Sequence, residues 1–124
     1  MRLLVDTNAF LWWRDGSPQL PDRASREIRD SDNDIFVSIV SLWEIMIKRA
    51  LGKLRFLEDF EEVMAEEGFA LLSVGYPHLR RLSDLPRHHR DPFDRLLIAQ
   101  ALAERVPIIT EDRAFAGYGV QIVW

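Results

Sequence analysis

The sequence contains no cysteine among its 124 residues. This absence excludes disulfide bonds and thiolate metal sites, and it fits the cytoplasm. No apolar run approaches the ~18 residues that a membrane-spanning helix needs. Asp6 also interrupts the first apolar run too early for a signal peptide. We therefore expect a cytoplasmic protein without a membrane segment.

The sequence also lacks an excess of positive charge, because 16 Lys and Arg residues face 20 Asp and Glu residues, a net charge of −4. This balance argues against a protein that coats nucleic acid through bulk positive charge. It does not exclude a nuclease, because a carboxylate cluster that holds cations makes a chain acidic by itself. The basic side chains are concentrated in one stretch, which contains Arg80, Arg81, Arg87, His88, His89, Arg90 and Arg95.

The hydrophobic fraction of 48% predicts one domain, residues 1–124, with a single sizeable core. Short β-branched or apolar runs predict strands at residues 3–5, 35–40, 69–74, 106–110 and 120–123. Apolar spacing and capping residues predict helices at residues 9–14, 21–30, 41–51, 55–67 and 78–85, and another from residue 92. Strands that alternate with helices predict an α/β fold, with a parallel sheet covered by helices on both faces.

Three polar positions are predicted to start helices. Asn8 can cap the helix that follows the first strand. Ser41 and Glu44 have the spacing of a capping box, in which each side chain bonds a backbone N–H of the other residue. Asp91 suits the N-cap of the last long helix, since Pro92 then occupies the first helical position, where its missing N–H costs nothing.

Four carboxylates follow predicted strands or lie in the first turn of the next helix. They are Asp6, Glu44, Asp94 and Asp112. The carboxyl ends of parallel strands share one edge of the sheet, where open α/β sheets bind their ligands. Carboxylate oxygens suit Mg²⁺ or Mn²⁺, and such a site activates a water for attack on a phosphodiester. The pattern therefore predicts an acidic metal site.

Each acid also has a structural interpretation. Asp6 has the position of an Asx turn, and the capping box explains Glu44 equally well. Asp91 is explained as an N-cap, which makes Asp94, one turn further on, the better ligand candidate. Asp112 has the position of a cap for the short helix that follows it. The patterns alone leave these alternatives open.

Four segments together resemble the PIN-domain family, and more closely its VapC-type toxin ribonucleases of toxin–antitoxin systems. The segments are Leu4-Val5-Asp6-Thr7-Asn8, Ser38-x-x-Ser41-x-Trp43-Glu44-Ile45, residues 91–101 beginning Asp91-Pro92-Phe93-Asp94-Arg95, and Ile109-Thr110-x-Asp112. They occur in order and cover nearly the whole chain. The Asp-Pro-Phe-Asp-Arg run is typical of one branch of the family.

The resemblance implies a PIN-like three-layer fold whose central parallel sheet has the strand order 3-2-1-4-5. It also implies a Mg²⁺- or Mn²⁺-dependent endoribonuclease, a homodimer, and inhibition by a small co-expressed antitoxin. Asp6, Glu44 and Asp94 would be the core acids. Many relatives carry Thr-x-Asn and an acid three residues later, whereas here Asp112 takes the asparagine position and Phe115 the acid position. Asp112 and Asp91 are therefore both candidates for the fourth acid.

Further residues gain expected roles from this resemblance. Polar side chains that would fix the carboxylates by hydrogen bonds are Thr7, Asn8, Ser41 and Thr110. Arginines close enough to the acids to hold an RNA backbone are Arg87, Arg90 and Arg95. His88 and His89 are interpreted as exposed loop residues, more often without a role than in contact with phosphate. The tryptophans are expected mainly in the core, with one or two at a dimer or antitoxin surface.

Two other functions compete with the nuclease. A phosphatase with an aspartyl nucleophile needs Asp-x-Asp after the first strand, but Asn8 stands at the second position and no well-placed lysine follows. A catalytically inactive PIN-like domain would serve as a protein-binding scaffold, and the retention of all four acids argues against it. We therefore predict a hydrolase.

Overall fold

The apolar run at the start of the chain forms the central strand of a five-stranded parallel sheet. The computed structural model describes residues 1–124. The strands are β1 (Arg2–Val5), β2 (Asp34–Ser38), β3 (Ala70–Leu72), β4 (Ile108–Ile109) and β5 (Ile122–Val123). Their order is β3-β2-β1-β4-β5, and every neighbouring pair is parallel. The predicted fold class and strand order are confirmed.

Helices cover both faces of this sheet. They are α1 (Thr7–Asp15), α2 (Asp22–Arg29), α3 (Ile39–Ala50), α4 (Phe60–Glu67), α5 (Tyr76–Ser83) and α6 (Pro92–Glu104), with a 3₁₀ helix at Arg113–Tyr118. None of these helices has the length and apolar character needed to cross a membrane.

The two faces of β1 belong to two separate hydrophobic clusters, because side chains alternate along a strand. Leu3 and Val5 are fully buried in a cluster with Phe10, which lies beneath α1 to α4. Leu4 is fully buried in the opposite cluster with Ile98, beneath α6 and the 3₁₀ helix. The central strand is thus buried on both sides, as an α/β sheet requires, and the fold has three layers.

The predicted cap of the first helix is wrong. Asp6, and not Asn8, is the N-cap of α1, and its Oδ1 accepts the N–H of Ala9 at 2.8 Å. The chain leaves β1 at Val5 and enters the helix after a single extended residue. The physical reason is that Asp6, the earlier of the two polar residues, already satisfies a free N–H of the first turn.

The predicted capping box of α3 is also wrong. Ser38 is the N-cap, and its Oγ accepts the N–H of Val40 at 3.0 Å. Residues 39 and 40, predicted as the end of a strand, are therefore the first helical residues. Ser41 and Glu44 lie inside the helix and point into the protein, with Glu44 5% exposed. Capping consequently does not explain Glu44.

The other elements occur in the predicted order with shifted ends. Asp91 is confirmed as the N-cap of α6, because its Oδ1 accepts the N–H of Phe93 at 2.8 Å. The helix predicted from residue 55 begins only at Phe60, after the N-cap Asp59. Three strands are shorter than predicted: the strands predicted at 69–74, 106–110 and 120–123 occupy 70–72, 108–109 and 122–123. The helices predicted at 21–30 and 78–85 occupy 22–29 and 76–83.

Candidate functional site

The strand order creates a crevice between the carboxyl ends of β1 and β4. The chain runs from β1 to β2 on one side, whereas β4 lies on the other side, and open α/β sheets bind ligands at such a reversal. Asp6 follows β1, Asp112 follows β4, and Asp94 lies in the first turn of α6. These three side chains line one cavity of about 360 Å³. Its other lining residues are Asn8, Glu111 and Arg113.

Asp6 is held at the end of β1 in a nearly buried position, 8% exposed. Burial raises the pKa of its carboxyl group to about 6, although hydrogen bonds from Thr110 and from the N–H of Ala9 oppose the shift. The negative charges of Glu44 and Asp112 raise this pKa further. Asp6 therefore both caps α1 and contributes charge to a crowded cluster of carboxylates.

Asp94 has the second strongly shifted carboxyl group of the site. Partial burial raises its pKa to about 7, and the negative charges of Asp91, Glu44 and Asp6 act in the same direction. His89 lowers it. Asp91 itself is engaged as a cap, since its Oδ1 accepts the N–H groups of Phe93 and Asp94. Titratable groups shifted by burial and like charge are typical of functional sites.

Glu44 adds a buried carboxylate to this cluster, because its charge raises the pKa of both Asp6 and Asp94. Its Oε2 lies 2.7 Å from Nζ of Lys48, one helical turn away. Its Oε1 is buried and has no hydrogen-bond donor. Leaving a buried carboxylate oxygen without a partner costs free energy, so this atom is exceptional in a folded protein.

The donor set fits a divalent metal ion. Asp6, Glu44 and Asp94 supply carboxylate oxygens, the ligands that Mg²⁺ and Mn²⁺ prefer. A cation would pair the unpartnered Oε1 of Glu44 and offset the like charge that raises the pKa of Asp6 and Asp94. The charge of Asp91 also acts on Asp94, and that of Asp112 acts on Asp6.

The predicted polar residues occupy two distinct environments beside the acids. Thr110 bonds the Asp6 side chain, and its Oγ1 accepts the N–H of Asp112 at 3.0 Å. The Oγ1 of Thr7 donates to Oγ of Ser41 at 2.9 Å, and this buried contact joins α1 to α3. Thr110 thus contacts an acid directly, whereas Thr7 and Ser41 fix the helices that carry Asp6 and Glu44.

A basic cavity of about 450 Å³ adjoins the acidic one. Its lining residues are Arg87, His89, Arg90 and Arg95, with no apolar side chain. The structure therefore brings together the three arginines that the sequence grouped. Arg95 is further held by a hydrogen bond from its Nη1 to the carbonyl oxygen of Pro86 at 2.9 Å.

Two residues of the site had no predicted role. His89 is only 18% exposed, and its Nε2 lies 3.2 Å from Oδ2 of Asp94 and 3.0 Å from Oδ2 of Asp112. Its place two residues before the capping Asp91 is the only signal in the sequence that pointed to the acids. Lys48 pairs with Glu44. The spacing of four residues along a predicted helix is the sequence signal that could have predicted this ion pair.

Solved structures with the same fold include several protein complexes. The chain aligns with VapBC2 from Rickettsia felis, bound to a DNA fragment from their promoter, at 15% identity and a TM-score of 0.68, covering 98% of this chain and 97% of the other. It aligns with FitAcB from Neisseria gonorrhoeae at 18% identity and a TM-score of 0.65, and the alignment covers 97% of this chain and 95% of the other. It aligns with a toxin–antitoxin complex from Klebsiella pneumoniae at 21% identity and a TM-score of 0.62, and the alignment covers 93% of this chain and 91% of the other.

At these identities the likeness establishes the fold alone. No curated protein sequence matches the chain significantly. The sequence does match the PIN domain family over residues 3–120, which is nearly its whole length. The chain belongs to the PIN-domain family.

Proposed function

We propose that the protein is a metal-dependent endoribonuclease that acts in the cytoplasm, as a single domain, as the toxin of a toxin–antitoxin module. One observation carries this proposal. Asp6, Glu44 and Asp94 gather at the carboxyl edge of the sheet, where burial and like charge raise the pKa of two of them and leave Oε1 of Glu44 unpaired. Membership in the PIN-domain family supports it.

The proposed metal is Mg²⁺ or Mn²⁺, held by Asp6, Glu44 and Asp94, with Asp112 and Asp91 as the remaining candidate ligands. When bound, such an ion activates a water and offsets the charge that develops during in-line attack on a phosphodiester. The protein supplies the fixed geometry. Thr110 orients Asp6, and the Thr7–Ser41 contact holds α1 against α3.

RNA is the proposed substrate because a basic cavity lies beside the acids. Arg87, Arg90 and Arg95 offer cationic side chains to phosphates on one side of the carboxylates. Contacts of this kind position a nucleic acid without reading its sequence. The acidic cluster alone would repel RNA, so these arginines are needed to bring a phosphodiester toward it.

The proposed protein partner is an antitoxin, in keeping with the toxin–antitoxin complex from Klebsiella pneumoniae that shares the fold. Three of the four tryptophans, Trp12, Trp13 and Trp124, are partly buried and pack against the core, as expected, whereas Trp43 is 55% exposed. Trp43 and Met46 belong to an apolar groove of about 710 Å³ between α3 and α4. Such a groove suits the apolar face of a helix.

Trp43 also meets the ring of Phe93, with centroids 5.0 Å apart, and Phe93 directly precedes Asp94 in the first turn of α6. A basic side chain of a partner bound at Trp43 would therefore lie near the acids.

The proposal includes a homodimer. We expect light scattering on the purified chain to give twice the mass of one chain, and a larger mass with the co-expressed antitoxin. A monomer at high micromolar concentration would contradict the homodimer, and an unchanged mass with the antitoxin would contradict the partner.

We expect the purified protein to cleave an unstructured RNA at millimolar Mg²⁺ or Mn²⁺, and we expect the cleavage to stop when the metal is chelated. Gel analysis of a 3′-labelled RNA measures this, with restored cleavage after excess metal as the control. Equal cleavage in chelator would exclude a metal-dependent mechanism. Hydrolysis of p-nitrophenyl phosphate without RNA cleavage would favour a phosphatase, and no hydrolysis of either substrate would favour a scaffold.

Metal should stabilise the wild type more than the Asp94→Asn variant. A ligand present at a hundredfold its dissociation constant stabilises the folded state by about 2.7 kcal/mol if it binds only that state. In chelator, Asp94→Asn should be as stable as the wild type or more stable by up to about 1 kcal/mol, because one like charge is removed. The favourable position of Asp94 in the first turn of α6 opposes this gain.

Thermal melts in chelator and at millimolar Mn²⁺ test this expectation. Asp32→Asn, the same chemical change at an exposed loop residue, is the control and should keep the full metal response. Equal metal-induced shifts for the wild type and Asp94→Asn would mean that Asp94 only begins a helix.

A further inference from the structure

The segment that contains α4 is strongly acidic. Six of the ten residues 58–67 are Asp or Glu, and none of the ten is basic. The six are Glu58, Asp59, Glu61, Glu62, Glu66 and Glu67. The surface that α4 offers to a partner is therefore negatively charged, far from the carboxylates at the strand ends in sequence.

One arginine of α1 neutralises part of this charge and holds α4 in place. Nη2 of Arg14 lies 2.6 Å from Oε2 of Glu58 and 2.6 Å from Oε2 of Glu66. Its Nη1 lies 2.9 Å from Oε1 of Glu67. Glu58 precedes α4, whereas Glu66 and Glu67 end it, so a single side chain fixes both ends of this helix.

The three other acids lie at the start of α4 and form no ion pair within the protein. Asp59 is the N-cap, and Glu61 and Glu62 lie in the first turn. All three are exposed. The N-terminus of the helix stabilises their charge without a cation. They are therefore free to pair with cations of another molecule.

Glu61 brings this charge to the apolar groove between α3 and α4. It is the one polar residue among the eight that line the groove. The α3 wall exposes the apolar side chains of Ile39, Trp43 and Met46, whose spacing of four and three residues puts them on one side of the helix. The groove thus has an apolar wall on α3 and an acidic border on α4.

This combination selects the chemistry of an occupant. A helix in the groove would pack its apolar face against Trp43 and Met46 and would place the residues beside that face next to Glu61. Lysine or arginine there would be attracted by Glu61 and Glu62, whereas acidic residues would be repelled. The same charge repels RNA and anionic lipid surfaces, and no basic side chain lines the groove to attract them.

We propose that the groove and the acidic start of α4 together bind an amphipathic helix of the protein partner, in which lysines or arginines border the apolar face. The inference rests on the proposed function in one respect, namely that the chain has an antitoxin partner. It deepens that proposal by assigning the sequence pattern that the bound segment of the partner must have.

Fluorescence anisotropy of three labelled helical peptides with the purified full chain tests the proposal. All three peptides carry the same leucine face. The first has lysines beside that face, the second has the same lysines opposite it, and the third has glutamates beside it. At about 0.1 M salt we expect the first to bind at least about tenfold more tightly than either of the others. Equal binding of the three peptides, or no binding of the first, would overturn the proposal.

Variants of the protein locate the charge that the peptides sense. Glu61→Lys should abolish the preference for the first peptide over the third. Asp32→Lys, the same change in net charge at an exposed loop residue, should keep the preference. Met46→Ser should weaken the binding of the first peptide. If Glu61→Lys does not fold, Glu61→Gln should reduce the preference, and an unchanged preference in either folded Glu61 variant would overturn the proposal.

Light scattering on the same samples identifies the occupant of the groove. We expect the first peptide to add its mass to the assembly of the free chain. Binding that instead separates a dimer into single chains would assign the groove to a second copy and would overturn the proposal.

These measurements need neither metal nor RNA, so failure of the nuclease gives a different result. A chain that prefers the first peptide but cleaves no RNA would support this inference and contradict the nuclease alone. A chain that cleaves RNA but binds the three peptides equally would contradict this inference alone.

Discussion

Replacing Asp6 by asparagine should lower the rate of RNA cleavage by roughly a thousandfold or more while the fold survives. The size follows from the several kcal/mol that a properly held metal supplies to the transition state. The fold should survive because asparagine caps helices about as well as aspartate, and its Oδ1 can still accept the N–H of Ala9. Growth arrest on expression of the protein should disappear as well.

The measurement is single-turnover cleavage of a labelled RNA, with circular dichroism to establish that the variant is folded. Asp22→Asn, the same chemical change at an exposed residue of α2, should cleave at the wild-type rate. Undiminished cleavage by pure, folded Asp6→Asn protein would refute the role of Asp6.

Placing an acid at position 115 should destabilise this protein instead of adding a ligand. Phe115 is 0% exposed and packs in the cluster of α6 and β4. Removing a buried phenylalanine side chain costs about 3–5 kcal/mol, and Phe115→Asp also buries a carboxylate without a partner. We therefore expect a loss of at least about 3 kcal/mol, a large part of the roughly 5–15 kcal/mol that holds a typical domain together.

Urea unfolding followed by fluorescence measures this loss. Ala116→Asp introduces the same carboxylate at the exposed neighbouring residue and should change the stability little. A folded Phe115→Asp variant of wild-type stability would show that this position tolerates a carboxylate.

The layered fold was predictable from local sequence. The run of Leu3, Leu4 and Val5 is apolar on both faces, and only a strand inside a covered sheet needs that pattern. The strand order was not contained in these local patterns. It came from the resemblance of the four segments, because pairing β1 with β4 depends on contacts between residues about a hundred positions apart.

Helix starts were less predictable than helices. Asp6 and Asn8 are both good caps, and so are Ser38 and Ser41, but only the three-dimensional path of the chain selects one of each pair. Asp91 was predictable because the proline that follows it restricts the geometry. The capping preference of a single residue therefore predicted a helix start correctly only where a neighbouring residue, here Pro92, favoured the same start.

The acids of the candidate site were predictable because the carboxyl ends of the strands meet at one edge of the sheet. The residues that contact these acids were not predictable. His89 meets Asp112 across a sequence separation of 23 residues, and its loop position resembles that of any exposed histidine. The unpaired Oε1 of Glu44 depends on burial, which no local pattern gives. The carboxylates thus follow from topology, and the contacts that tune them follow from packing.

The position of β1 between β2 and β4 has a consequence for the synthesis of the protein. The strand that completes the surroundings of Asp6, together with Thr110 and Asp112, is made more than a hundred residues after Asp6 itself. Ribosomes extend a chain by about 5–20 residues per second. A nascent or interrupted chain that stops before β4 therefore carries some of the acids without the assembled site, and translation itself delays the assembly of the site until β4 has been made.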